Sequence, residues 1–202
     1  MDQPLIKNLL QFSLASVSII CLLTEMYGLT TLRFAVCAWL FPAGAVLFAW
    51  LLYAVYRKDH DTIAVIGYGA LFGFIAAVTY DIYRVPFALS GLHIFSVFPK
   101  FGRMILGEHA PAWCIQLVGW MYHFSNGMGF GVMYMALARH TSWWWAVMYA
   151  VLIEIFMLSS PYPQVFGFVI TATFLFVTLS AHSIFGLTLG WQVHRWQKQI
   201  HA

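Results

Sequence analysis

Charge is what this chain lacks most. Of its 202 residues only 8% are Asp, Glu, Lys or Arg, where a water-soluble domain carries about a quarter. So few charges cannot cover a water-facing surface. Ten Lys and Arg against seven Asp and Glu leave a formal charge of +3, and the basic residues are scattered. They do not form the basic patch that nucleic acid requires, so no nucleic-acid partner is expected.

Cysteine is scarce as well. Cys21, Cys37 and Cys114 have no paired spacing, which argues against a disulfide framework or a CxxC metal site. There is no internal repeat, low-complexity stretch or flexible linker, so residues 1–202 read as a single domain. Motifs of known chemistry are missing too: no HExxH, no HxxxH, no histidine box, and no GxSxG elbow around Ser125 or Ser180. The N-terminal apolar run has a preceding Lys but no small-x-small cleavage pattern, so it reads as an uncleaved first span.

Apolar residues, in contrast, make up 62% of the chain and aromatics 18%. Apolar windows of spanning length run over 9–27, 34–56, 62–83, 112–138, 143–158 and 165–193. About 20 helical residues cross a hydrocarbon core. The pattern predicts an all-α, polytopic membrane bundle of six transmembrane helices. The fifth window is short and the sixth long, which implies tilt or extension beyond the bilayer.

Residues 85–111 join the third and fourth spans. This stretch is too apolar for a free loop and is broken by Pro86, Gly91, Pro99 and Gly102. It is expected to lie at the membrane interface, with a short helix near Phe101–Leu106, and to cover what lies beneath. Ser159 to Pro163 read as a tight turn between the last two spans.

Positive charge suggests an orientation. With both termini cytoplasmic, that side carries Lys7, Arg57, Lys58, Arg139, Arg195 and Lys198, and the other carries Arg33, Arg84, Lys100 and Arg103. Trp143, Trp144 and Trp145 then form an interfacial belt. The expected location is an integral membrane, the inner membrane if the source is bacterial. Lipid and other membrane subunits are the expected partners.

Against this apolar background a few ionisable residues stand out. His123, Glu154 and His182 lie inside spans, and Asp81 lies at the mouth of another. Charge in hydrocarbon is costly, so such residues face protein and serve a function by default. Each sits on a ridge of small residues with a four-residue repeat, which is one face of a helix. The ridges are Gly69-Gly73-Ala77-Asp81, His123-Gly127-Gly131, Ala146-Ala150-Glu154 and Thr178-His182-Gly186-Gly190. Small residues let helices approach closely, so the polar residues are expected on packed faces. Counted from the cytoplasmic boundary, they fall in the outer half of the bilayer, roughly 18–30 Å up.

Imidazole and carboxylate together suit Zn, Fe or Mn. The expected site has His123, Glu154 and His182 as metal ligands and Asp81 as a fourth ligand or general base. Asn126 would orient a ligand or substrate, and Arg84 would hold an anionic group. This implies a metal-assisted hydrolase or lipid-modifying enzyme. Two alternatives stay open. One is a b-type haem protein with His123 and His182 as axial ligands. The other is a non-catalytic accessory subunit whose polar residues fix helix packing.

Overall fold

The computed structural model describes residues 3–200, and these residues form helices and turns with no strand. Eight helices follow one another, with a 3-10 turn at Ile94–Ser96 leading into the fourth. They are α1 (Gln3–Met26), α2 (Leu32–Arg57), α3 (His60–Leu89), α4 (Val97–Leu106), α5 (Ala112–Ala138), α6 (Trp144–Leu158), α7 (Tyr162–Phe166) and α8 (Ala172–Ile200). Helices α1, α2, α3 and α8 are long and apolar enough to cross a membrane. Helix α5 has 27 residues, but Gln116, His123, Ser125 and Asn126 and its glycines dilute its apolar character. Helix α6 is apolar but has only 15 residues.

Local chemistry explains the boundaries. The Thr31 hydroxyl accepts from Phe34 N and caps α2. Pro42 has no amide hydrogen and its ring crowds the preceding turn, and α2 widens into a π-turn over Val36–Leu40 just before it. Lys58 adopts the left-handed conformation (φ 56°) that ends α2. Asp59 then caps α3 by accepting from Thr62 N at 3.1 Å.

Three elements differ from the expected spans. Helix α3 runs through Pro86 to Leu89; one missing N–H does not end a helix that is packed along its length. The short helix expected near Phe101–Leu106 begins at Val97, because Val97, Phe98, Phe101, Gly102 and Ile105 form one buried face. The last span begins at Ala172, not Val165. Pro161 and Pro163 start the short helix α7, and Gly167 (φ 66°) closes it.

The small-residue ridges are the seams of the bundle. Gly69 and Gly73 of α3 lie against the Gly127–Val132 backbone of α5, so closely that a Cβ on Gly73 would sit 2.9 Å from Gly131 Cα. Gly186 and Gly190 of α8 meet Ala146 and Trp143 at α6 in the same way. Polar links join α3 to α8. Thr79 Oγ1 donates to Thr188 Oγ1 at 3.0 Å, Tyr83 donates to Ser180 at 3.0 Å, and Gln192 donates to the Phe72 carbonyl at 3.3 Å. The result is two close pairs, α3–α5 and α6–α8, with α1 and α4 also packed on α5. Helix α2 lies outermost, and much of its surface is exposed apolar side chain.

Candidate functional site

The four ridges carry their polar residues toward one place. A cavity of about 120 Å³ is lined by Tyr80, Arg84, His123, Asn126, Glu154 and His182, among others. That volume is several times what one water needs. Its other walls are apolar. Ile94, Val97, Phe98 and Phe101 of the α4 segment and Tyr162 of α7 close one side. The segment expected as a cover therefore does line the site. Lys100 of α4 donates to the Phe166 carbonyl of α7, which ties the two covering pieces together.

The ionisable residues form two groups. In the first, His123 Nε2 lies 2.8 Å from Asp81 Oδ2. Asp81 Oδ1 accepts from Arg84 Nη1 at 3.4 Å. Arg84 Nη2 donates to the Ile94 carbonyl at 2.7 Å. Its guanidinium stacks on Tyr80 and Phe95, 4.6 and 4.9 Å from the ring centroids. Asp81 and Arg84 are 6% and 5% exposed, so this charge pair is buried and satisfied by several partners at once. A buried pair needs such extra bonds to offset its lost hydration.

In the second group His182 Nδ1 lies 3.3 Å from Glu154 Oε2 and 3.0 Å from the Thr178 carbonyl. One N–H thus faces two acceptors, and Glu154 is 6% exposed. The Tyr80 ring touches both imidazoles, with centroid distances of 4.9 Å to His182 and 6.1 Å to His123. Phe98 packs on His123 at 4.6 Å.

Asn126 completes the lining. Tyr122 donates its hydroxyl proton to the Ser18 carbonyl at 2.7 Å and engages the Asn126 side chain. Since the phenol proton is committed to Ser18, its oxygen receives from the Asn126 amide nitrogen. Asn126 Oδ1 is left buried with no hydrogen-bond partner.

The expected metal set finds no support in this geometry. Among the described residues no three His, Cys, Asp or Glu side chains form a metal-holding group. His123 is drawn to Asp81, and His182 and Glu154 are drawn to each other. A ligand set needs three donors aimed at one point, whereas these are aimed at one another in pairs.

Tyr80 is the residue the sequence reading passed over. Its signal was present: Tyr80 and Arg84 are four apart on α3, the spacing that stacks a cation on a ring. The Tyr122–Ser18 link joins residues 104 apart and has no sequence signal.

No family model matches the chain, and neither a curated protein nor a solved structure matches it.

Proposed function

We propose that this protein is a six-span membrane enzyme that acts on a lipid-like amphiphile by acid–base chemistry in the cavity beneath α4 and α7. The observation that carries this reading is the pair of imidazole–carboxylate couples on one aromatic cavity. A carboxylate on one ring nitrogen orients the imidazole, which leaves the other nitrogen to exchange a proton with substrate. Asp81 does this for His123 through Nε2, leaving Nδ1. Glu154 does it for His182 through Nδ1, leaving Nε2. Two such rings can act as base and acid across one bound molecule. Arg84 is held by Asp81 and the Ile94 carbonyl, so its part is to orient Asp81 and fasten the cover.

Six spans follow if α5 and α6 cross the membrane beside the four longer helices, shielded by their partners α3 and α8. The termini then lie in the cytoplasm and the cavity in the outer half of the bilayer. Its aliphatic and aromatic walls suit an acyl or alkyl chain.

A divalent metal is not part of this reading, because the donors that would bind it are engaged in pairs. A haem bridging His123 and His182 meets the Tyr80 ring, which packs on both. The accessory-subunit reading explains buried ion pairs but not the cavity between them.

The test is mass spectrometry of amphiphiles that stay with protein released from its membrane. Wild type is expected to retain a defined amphiphile, and the His123→Ala/His182→Ala variant to lose it or to accumulate it unaltered. Identical lipid content in both proteins would overturn the proposal.

A further inference from the structure

Two acceptors in the cavity lining, Glu154 and Asn126, have open hydrogen-bonding capacity. One carboxylate, Glu154, and one guanidinium, Arg84, line it. Arg84 is committed to Asp81 and the Ile94 carbonyl. Glu154 has one proton to share, that on His182 Nδ1, and the Thr178 carbonyl lies closer to it. A carboxylate offers about four lone-pair sites, so most of its capacity is open. Asn126 Oδ1 adds a second acceptor, buried and without a partner; its residue is 8% exposed. Buried acceptors of this kind are rare unless something fills them.

Around these acceptors stand ring faces. Tyr80, Phe130, Tyr162, Phe174 and Phe185 line the same cavity, and aromatic faces attract cations. Ile19, Leu22, Ile153 and Met157 offer an apolar path for a chain.

We infer that the cavity takes the protonated primary amine of an amphiphile, its ammonium held between Glu154 and Asn126 and its chain against the apolar wall. This rests on the reading that the pocket receives an amphiphile, and it names the head group. The chemistry discriminates among head groups. A primary ammonium brings one positive charge and three N–H donors. A hydroxyl brings one donor and no charge. A quaternary ammonium brings the charge and no donor, so it satisfies the rings but neither oxygen. A phosphate or carboxylate head meets the Glu154 charge and is rejected.

The experiment compares octylamine, 1-octanol and octyltrimethylammonium, all below their aggregation limits, on the full chain in lipid nanodiscs. Binding is read by calorimetry. Octylamine is expected to bind about tenfold or more tighter than either competitor. Glu154→Gln, which keeps the shape and removes the charge, is expected to abolish the preference while leaving octanol binding in place. Asn126→Leu is expected to reduce the preference and serves if Glu154→Gln does not fold. Equal binding of octylamine and octanol, a quaternary head that matches the primary one, or a preference that survives Glu154→Gln would overturn the inference while leaving the amphiphile reading intact. If none of the three binds, both fall.

Discussion

The two ends of the bundle use the same residue types differently. Around the cavity, Asp81, Arg84 and Glu154 are each under a tenth exposed. At the other end, Lys7 bridges Asp59 and Asp61 at 3.0 and 3.1 Å, and Arg139 holds Asp61 at 2.6 Å. There the Asp side chains are 39% and 46% exposed. Arg139 also donates to the Met135 carbonyl, and its own carbonyl accepts from Gln197. That network joins α1, the α2–α3 turn, α5 and α8 at their ends, with water at hand. One end is a clasp; the other is a chamber. The difference is satisfaction: the clasp's charges meet opposite charges, whereas the chamber leaves Glu154 and Asn126 underserved.

The largest effect is expected where burial is deepest. Asp81→Ala strands the Arg84 guanidinium and frees His123, and should cost about 3–5 kcal/mol of stability. Asp61→Ala at the clasp should cost about 1 kcal/mol or less. Thermal unfolding of both variants in one detergent measures the gap, and equal losses would erase the distinction between the two ends. Next comes the seam that delivers Asp81 and His123 to one place. Gly73→Val drives side-chain atoms into the Gly127–Gly131 backbone and should cost about 1–3 kcal/mol or more. Size-exclusion profiles and unfolding curves report it, and a variant as stable as wild type would mean that the close approach is dispensable.

The clasp should respond to acid in its own way. The Asp59 carboxyl is held down to about 2, first by the hydrogen bond from the Thr62 hydroxyl, which burial opposes, and then by the Thr62 amide and Lys7. Because this value lies below that of the unfolded chain, its stabilisation is complete above roughly pH 4. It is lost as pH falls through about 2. Asp59→Asn keeps a capping oxygen and should flatten this acid limb, while Asp59→Ala should also lose the cap, about 1 kcal/mol at neutral pH. An unchanged acid limb in Asp59→Asn would assign the loss to other carboxylates. The smallest effect is expected for Lys7→Ala, about 0–1 kcal/mol and weaker still at high salt, because both partners are partly solvated.

Much of this arrangement could be read along the chain. The ridge through Gly69, Gly73, Ala77 and Asp81 told which face of α3 packs, since a four-residue repeat of small side chains has one physical use in a tightly packed bundle. The same logic brought His123, Glu154 and His182 to the interior. What it could not give was the pairing. His123 chose Asp81 and His182 chose Glu154 through the angles at which α3 meets α5 and α6 meets α8, and no spacing within a helix encodes those angles. A metal set was the natural reading of the residue types alone; the directions of the side chains do not support it.

Sequence alone determined that the chain is helical and apolar, where its long apolar helices lie to within several residues, and which few polar residues are held inside. These are local matters, decided by composition and by a period of 3.6 residues. Tertiary structure decided the rest: that four polar residues make two couples, that Tyr80 touches both imidazoles, that α4 and α7 cover them, and that Asn126 turns an unpartnered oxygen inward. Each depends on contacts between segments far apart in sequence, such as the 104 residues between Tyr122 and Ser18. Such contacts form only when whole helix faces are pressed together.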